Sequence, residues 1–91
     1  MSDPIVLAPK LDLAASSALL STLNAHKSED VVVDLSDVKH LGALCMQVLL
    51  AAATTAQASG KSFSLTNTSD RVLEQMRVMG MTPEAISRGR Q

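Results

Sequence analysis

Two pairs of residues near the middle of the chain carry the side chains best suited to chemistry. His40 and Cys45 lie five positions apart, and a nucleophilic Cys–His pair requires a thiolate within hydrogen-bond reach of the imidazole. Asp34 and Asp37 flank a turn that follows an apolar run, a position where acidic residues can hold a cation or a phosphoryl group. The helices and strands that carry these residues determine whether this chemistry is available.

Helical geometry argues against a catalytic pair. At about 100° per residue, Cys45 falls on the side of its helix that would face the core, where a cysteine usually acts as a small inert apolar residue. Asp34 is expected to end a strand and, with Ser36, to accept hydrogen bonds from turn N–H groups. The second histidine, His26, has no neighbouring ligand candidate, and the glycines stand singly, without a phosphate-binding loop. We therefore predict no catalytic residue, no metal ligand and no cofactor site.

Length and composition narrow the function classes. A chain of 91 residues with Phe63 as its only aromatic predicts one small domain, residues 1–91, with an aliphatic and methionine-rich core. A net charge of −1, without a basic cluster in the body of the chain, argues against a nucleic-acid partner. The single cysteine favours a reducing cytosol. Because no apolar stretch reaches the roughly 18 residues that span a bilayer, the sequence predicts a soluble cytoplasmic protein without membrane insertion.

The pattern of apolar residues predicts strands and helices in alternation. Strands are expected at residues 4–8, at Val31-Val32-Val33 and at residues 62–66, with the valine run covered on both faces. Helices are expected from the Asp12 cap to about residue 25, from Leu41 or Gly42 to residue 59, and from the Ser69 cap to residue 80, with a short helix restarting at residues 82–84. The predicted fold class is α/β, with a mixed, mostly parallel sheet of about four strands and helices packed on it.

The central helix has apolar residues on two opposite sides. One side is predicted to face the sheet and holds Leu41, Leu44, Cys45, Val48, Leu49 and Ala52. The opposite side, which is normally polar in a surface helix, is mostly apolar and small. Either a neighbouring helix of the same chain covers it, or it binds a partner, which we favour because a soluble monomer seldom exposes such a stripe. The predicted partner-binding residues are His40, Ala43, Met46, Gln47, Leu50 and Thr54.

Residues 31–53 resemble the centre of STAS domains, the family that includes anti-sigma factor antagonists. In that family a strand ending in Asp-Leu-Ser, here Asp34-Leu35-Ser36, leads through a turn to the head of the central helix. Residues 10–14 are similar to the family's short second strand and the start of its first helix, residues 60–63 to the start of its next strand, and residues 69–80 to its penultimate helix. The resemblance covers nearly the whole chain and implies a small STAS-like domain that binds proteins and is not an enzyme.

The head of the central helix departs from the family's pattern. Switching members carry Asp-Ser-Ser-Gly there, whereas this chain has Gly42-Ala43-Leu44-Cys45. The resemblance therefore places Ala43 at a degenerate phosphoacceptor position, because a side chain without a hydroxyl cannot accept phosphate. The helix sequence and the methionine-rich residues 69–80 are most similar to the small STAS proteins associated with bacterial chemotaxis histidine kinases.

These observations lead to one main hypothesis and two alternatives. The main one is a protein-binding module in bacterial signal transduction that binds a chemotaxis-type histidine kinase through the outer face of the central helix. The first alternative is an anti-sigma factor antagonist in a partner-switching system, with an anti-sigma-type kinase as its partner. The second is an accessory domain of a lipid or small-ligand system, which would require a pocket that so short a core hardly has room for. The sequence also allows a homodimer in which the edge strand near Ile5 pairs with a second copy of the chain.

Overall fold

The computed structural model describes residues 4–26, 29–82 and 84–85 of the chain. The strands in chain order are β1 (Ile5–Val6), β2 (Lys10–Leu11), β3 (Val31–Asp34), β4 (His40–Leu41) and β5 (Phe63–Thr66). The helices are α1 (Ser16–Ala25), α2 (Ala43–Ala58) and α3 (Asp70–Val78), with a short 3-10 turn, Leu13–Ala15, directly before α1. The short helix predicted at residues 82–84 lies partly outside the described residues. Within the described part of the chain, no helix has the length and apolar character needed to cross a membrane.

The strands form two parallel sheets. The larger has the order β1-β3-β5, and the smaller pairs β2 with β4. Helices connect the parallel strands of the larger sheet, since α1 lies between β1 and β3 and α2 lies between β3 and β5. The predicted α/β class with parallel strands is confirmed, whereas the division into two sheets was not anticipated.

β3 is the central strand of the larger sheet, but its side chains alternate in burial. Val31 and Val33 are buried, while Val32 and Asp34 are half-buried. Val33 lies beside Leu65 in the sheet register and Val32 lies beside Ser64, so one face of the sheet is apolar and the other is mixed. The prediction that the valine run is covered on both faces is therefore only partly correct, since the Val32 face is half-buried. A β-branched residue also suits a half-buried strand position, so the run of valines did not distinguish the two cases.

The helix ends follow from local sequence. The Asp12 side chain accepts a hydrogen bond from the Ala15 N–H at 3.2 Å, and the Ser69 hydroxyl accepts one from the Val72 N–H at 3.3 Å, as predicted for N-caps. Gly60 and Gly80 end α2 and α3 with φ of 72° and 77°. In α3 the N–H of the next residue, Met81, then donates to Met76 O at 2.8 Å, the pattern of a Schellman motif.

Candidate protein-binding surface

The head of α2 is held tightly against β2. The Gly42 N–H donates to Leu11 O at 2.7 Å, and a β-carbon at position 42 would lie only 2.8 Å from the same oxygen. Gly42 has an ordinary extended conformation, with φ of −78° and ψ of 161°. Glycine is therefore required here for space, because β2 approaches too closely to admit a side chain.

An open groove of about 430 Å³ lies between the head of α2 and one side of α3. We call it the α2–α3 groove; residues 40–43 form one wall, and Glu74, Gln75, Val78 and Met79 form the other. Val78 is 78% exposed, and Ala43 is also exposed. The groove therefore combines accessible apolar side chains with polar groups at its edge, a composition typical of protein-binding sites.

Gln75 links the two walls of the groove. Its Oε1 accepts a hydrogen bond from the Leu41 N–H at 2.8 Å, and its Nε2 lies 3.2 Å from His40 Nδ1. Nearby, Glu74 is paired with Arg77 at 2.7 Å. The polar edge of the groove is thus ordered by contacts between β4 and α3.

Of the six predicted partner-binding residues, four are exposed and two are buried. His40 and Ala43 lie in the α2–α3 groove, and Gln47 and Thr54 are exposed further along α2. The other two are core residues, since Met46 is 1% exposed and Leu50 is 7% exposed. Their placement on an outer face was wrong, and charged substitutions at these two positions would test folding before binding.

The buried side of α2 is rotated relative to the predicted one. It comprises Cys45, Met46, Leu49, Leu50, Ala53 and Ala56. Of the residues predicted to face the sheet, Leu44 is 47% exposed, and Val48 and Ala52 are only partly buried. The cavity between α1 and α2 is lined on α2 by Val48, Ala51, Ala52, Thr55 and Ala56, so α1 packs near the side that was predicted to face the sheet. Met46 and Leu50, on the side expected to be free, are nevertheless buried, so the chain itself covers part of that side. The alternative that a neighbouring helix covers it stays a prediction.

Cys45, one of the two residues of the candidate catalytic pair, lies in an environment that does not favour catalysis. Cys45 is buried, and its thiol donates to Asp12 O at 3.3 Å. Burial first, and the negative charge of Asp12 second, raise the pKa of the Cys45 thiol, which disfavours the nucleophilic thiolate. We therefore find no support for a Cys–His nucleophile at this site.

Asp34 orders the turn after β3. Its Oδ1 accepts hydrogen bonds from the Ser36 N–H at 2.8 Å and from Asn67 Nδ2 at 3.3 Å. The bond from the Ser36 backbone, with smaller contributions from the side chains of Ser36 and Asn67, lowers the pKa of the Asp34 carboxyl. Within residues 4–26, 29–82 and 84–85, no three His, Cys, Asp or Glu side chains come together as a metal site.

The sequence did not predict that α3 forms one wall of the groove. The helical spacing of Val72, Leu73, Met76 and Met79 puts them on one apolar side of α3, and Val72 and Met76 are buried. Gln75 and Val78 lie off that side. An apolar valine among the charged residues at the end of α3 was the available signal, but nothing in the sequence indicated that this end of α3 lies beside the head of α2.

A family model described as "Mlab, STAS domain" matches residues 2–83. The chain belongs to the STAS domain family. The match agrees with the α/β architecture and extends to the family, not to a chemotaxis-associated subtype. A comparison with curated proteins gives no match.

STAS domains are generally non-enzymatic binding modules that interact with proteins such as kinases in partner switching. The family assignment directs attention to the head of α2, where the resemblance places Ala43 at the phosphoacceptor position. Ala43 is the first residue of α2 and is exposed in the α2–α3 groove. The residue that the resemblance places at the switch position is therefore exposed and has no hydroxyl.

Proposed function

We propose that this chain is a single STAS domain, residues 1–91, that acts as a non-enzymatic protein-binding module in bacterial signal transduction. It binds its partner through the α2–α3 groove and the adjoining exposed side of α2. The binding residues are His40, Ala43 and Gln47, which the sequence indicated, together with Gln75 and Val78 of α3. Thr54 lies at the far end of this surface.

The observation that carries the proposal is the exposure of apolar side chains on both walls of the groove. Val78 is 78% exposed on α3 and Ala43 is exposed on α2. Single exposed apolar residues are ordinary on protein surfaces, but two that face a common groove provide a site where a partner side chain can be buried.

The proposed partner is a signalling histidine kinase of the chemotaxis type. Support for this class comes from the resemblance of α2 and α3 to the small STAS proteins that accompany such kinases. The absence of a hydroxyl at Ala43 favours a partner whose binding is not controlled by phosphorylation at this position. An anti-sigma-type kinase is the alternative partner within the same proposal.

The lipid or small-ligand alternative has less support. The apolar cavity between α1 and α2 is about 70 Å³, well below the roughly 300–1,000 Å³ of typical ligand pockets. The α2–α3 groove is large enough, but it is open to solvent and would leave much of a small ligand exposed. These features fit a protein surface better than an enclosed ligand.

The test is a binding titration of the full chain against a purified chemotaxis-type histidine kinase and, separately, an anti-sigma-type kinase. Val78→Lys should weaken binding to the true partner at least about tenfold, roughly 1.4 kcal/mol. Folding should be preserved because the side chain is exposed and a cation at the end of α3 is favourable. Val6→Lys is the matched control, since Val6 is also exposed, at 56%, but lies on β1.

Three outcomes distinguish the possibilities. Tenfold weaker binding for Val78→Lys with normal binding for Val6→Lys supports the groove. If Val78→Lys binds the partner as tightly as Val6→Lys and the wild-type chain do, the groove is not the docking site. Binding to neither kinase by the wild-type chain would refute the proposed partner class.

A further inference from the structure

The N–H of Leu41 requires a partner that β2 cannot supply. In a parallel pair, alternate N–H groups of a strand point toward its neighbour. The N–H groups of His40 and Gly42 donate to Pro9 O and Leu11 O at 3.2 and 2.7 Å. The Leu41 N–H therefore points away from β2, and Leu41 is only 1% exposed. Gln75 Oε1 of α3 accepts this hydrogen bond at 2.8 Å, in the place where a further strand would otherwise pair with β4.

This contact fixes the orientation of the Gln75 amide. A backbone N–H can only donate, so the amide atom that faces Leu41 must be the oxygen. The amide nitrogen then faces His40 Nδ1 at 3.2 Å. Because that nitrogen can also only donate, Nδ1 must be the acceptor. The hydrogen of the neutral imidazole consequently lies on Nε2, the nitrogen nearer Gly42, where an added β-carbon would lie 3.9 Å from it.

We propose that Gln75 is a positioning residue of the α2–α3 groove that fixes the tautomer of the neutral His40 imidazole, with its hydrogen on Nε2, and that a hydrogen on Nδ1 breaks this hydrogen-bonded relay. The use of the groove for docking rests on the proposed function, whereas the relay does not. In the neutral state His40 offers a partner a hydrogen-bond donor at Nε2, so the matching partner group is an acceptor such as a carbonyl or carboxylate oxygen.

Protonation creates a conflict that rotation of the amide cannot remove. A hydrogen on Nδ1 would face the NH₂ group of Gln75, placing two donors opposite each other. Rotating the amide by half a turn would give His40 an acceptor but would place the NH₂ group against the Leu41 N–H. One of the two contacts is therefore lost whenever His40 is charged.

Charged groups near His40 come from β2, the turn before β4, and α3. Lys10 is the register neighbour of His40 and lies 4.0 Å from Asp12. The remaining charges are Lys39, which precedes His40, and Arg71, Glu74 and Arg77 of α3. α2 contributes no charged side chain.

The first measurement uses the wild-type chain alone. Ring-nitrogen NMR at pH 8 should show His40 as a single tautomer with its hydrogen on Nε2, and Gln75→Ala should give the tautomer mixture of an unrestrained imidazole. Exchange protection of the Leu41 amide should fall roughly two- to tenfold in Gln75→Ala, because the Leu41 N–H then loses its acceptor. A hydrogen on Nδ1 at pH 8, or unchanged protection of the Leu41 amide in Gln75→Ala, would overturn the proposal.

Gln75→Glu provides a variant with the opposite expectation. A carboxylate can accept from the Leu41 N–H with one oxygen and from an Nδ1–H of His40 with the other. The hydrogen of the neutral His40 ring should therefore move to Nδ1 in this variant at pH 8; a hydrogen that stays on Nε2 would contradict the relay. His26→Gln is the control, because His26, 3.2 Å from Glu29, is the other histidine. The Nε2–H tautomer of His40 and the protection of the Leu41 amide must be unchanged in that variant.

These readouts are separate from partner binding. Failure of the NMR and exchange measurements would refute the relay and leave the groove available as a docking site. Conversely, a confirmed relay with normal binding by Val78→Lys would refute the docking site alone.

Discussion

Replacing Met46 and Gln47 separately by alanine distinguishes the core of α2 from its surface. The two residues are adjacent, yet Met46 is 1% exposed and Gln47 is exposed. Met46→Ala removes a buried side chain and leaves a cavity, which should lower the free energy of unfolding by about 2–5 kcal/mol. Gln47→Ala should change it by less than about 0.5 kcal/mol.

The predicted loss is large for a domain of this size. A chain of 91 residues has a free energy of unfolding of roughly 5–14 kcal/mol, so the truncation would remove a substantial part of it. At a cost of about 3 kcal/mol, the Tm should fall by roughly 12–24 °C. The assay is thermal unfolding followed by far-UV circular dichroism, with urea denaturation as the equilibrium measurement.

Similar melting temperatures for the two variants would contradict the burial of Met46. If Met46→Ala melts within about 3 °C of Gln47→Ala, Met46 does not pack in the core. The sequence-based prediction that Met46 lies on an outer, partner-binding face would then be correct. A large loss for Gln47→Ala would instead mean that the helix is rotated relative to the structure.

Two further predictions concern the head of α2 and the turn after β3. Gly42→Ala should lower the free energy of unfolding by about 1–3 kcal/mol in urea denaturation, because its β-carbon would lie 2.8 Å from Leu11 O; unchanged stability would mean that β2 can move aside without cost. The lowered pKa of Asp34 stabilises the fold above the ordinary value of 3.8, and this contribution is lost as the pH falls through the lowered pKa. Asp34→Asn should therefore lose less stability than the wild type when acidified below pH 3.8; an identical acid transition would contradict this assignment.

The contrast between α2 and α3 explains how much of the fold the sequence could predict. In α3, charged residues such as Arg71 and Glu74 occupy the positions between apolar ones, so only one side can be buried, and Val72 and Met76 are buried as expected. α2 contains no charged residue. Its periodicity was compatible with several rotations, and only packing against α1 and the larger sheet determined which side became core.

The second sheet was unpredictable for a different reason. β2 and β4 are two residues long, too short for an alternation of period two to emerge. Their pairing depends on Gly42, whose lack of a side chain allows the close approach to Leu11 O at 2.7 Å. In the sequence Gly42 marked only the start of the central helix, and nothing showed that another segment of the chain approaches it closely.

The position of the candidate site follows from this small sheet. β4 has β2 on one side and the Gln75 side chain on the other, so the residue that closes the edge of the sheet also forms a wall of the α2–α3 groove. The resemblance places Ala43, which has no hydroxyl, at the position where switching members of the family are phosphorylated. The polar ring that the groove presents to a partner is then His40, because its Nδ1 is occupied by Gln75 and its Nε2 is left to donate a hydrogen bond. The residue that closes the edge of the small sheet therefore also decides which hydrogen-bonding group a partner would meet.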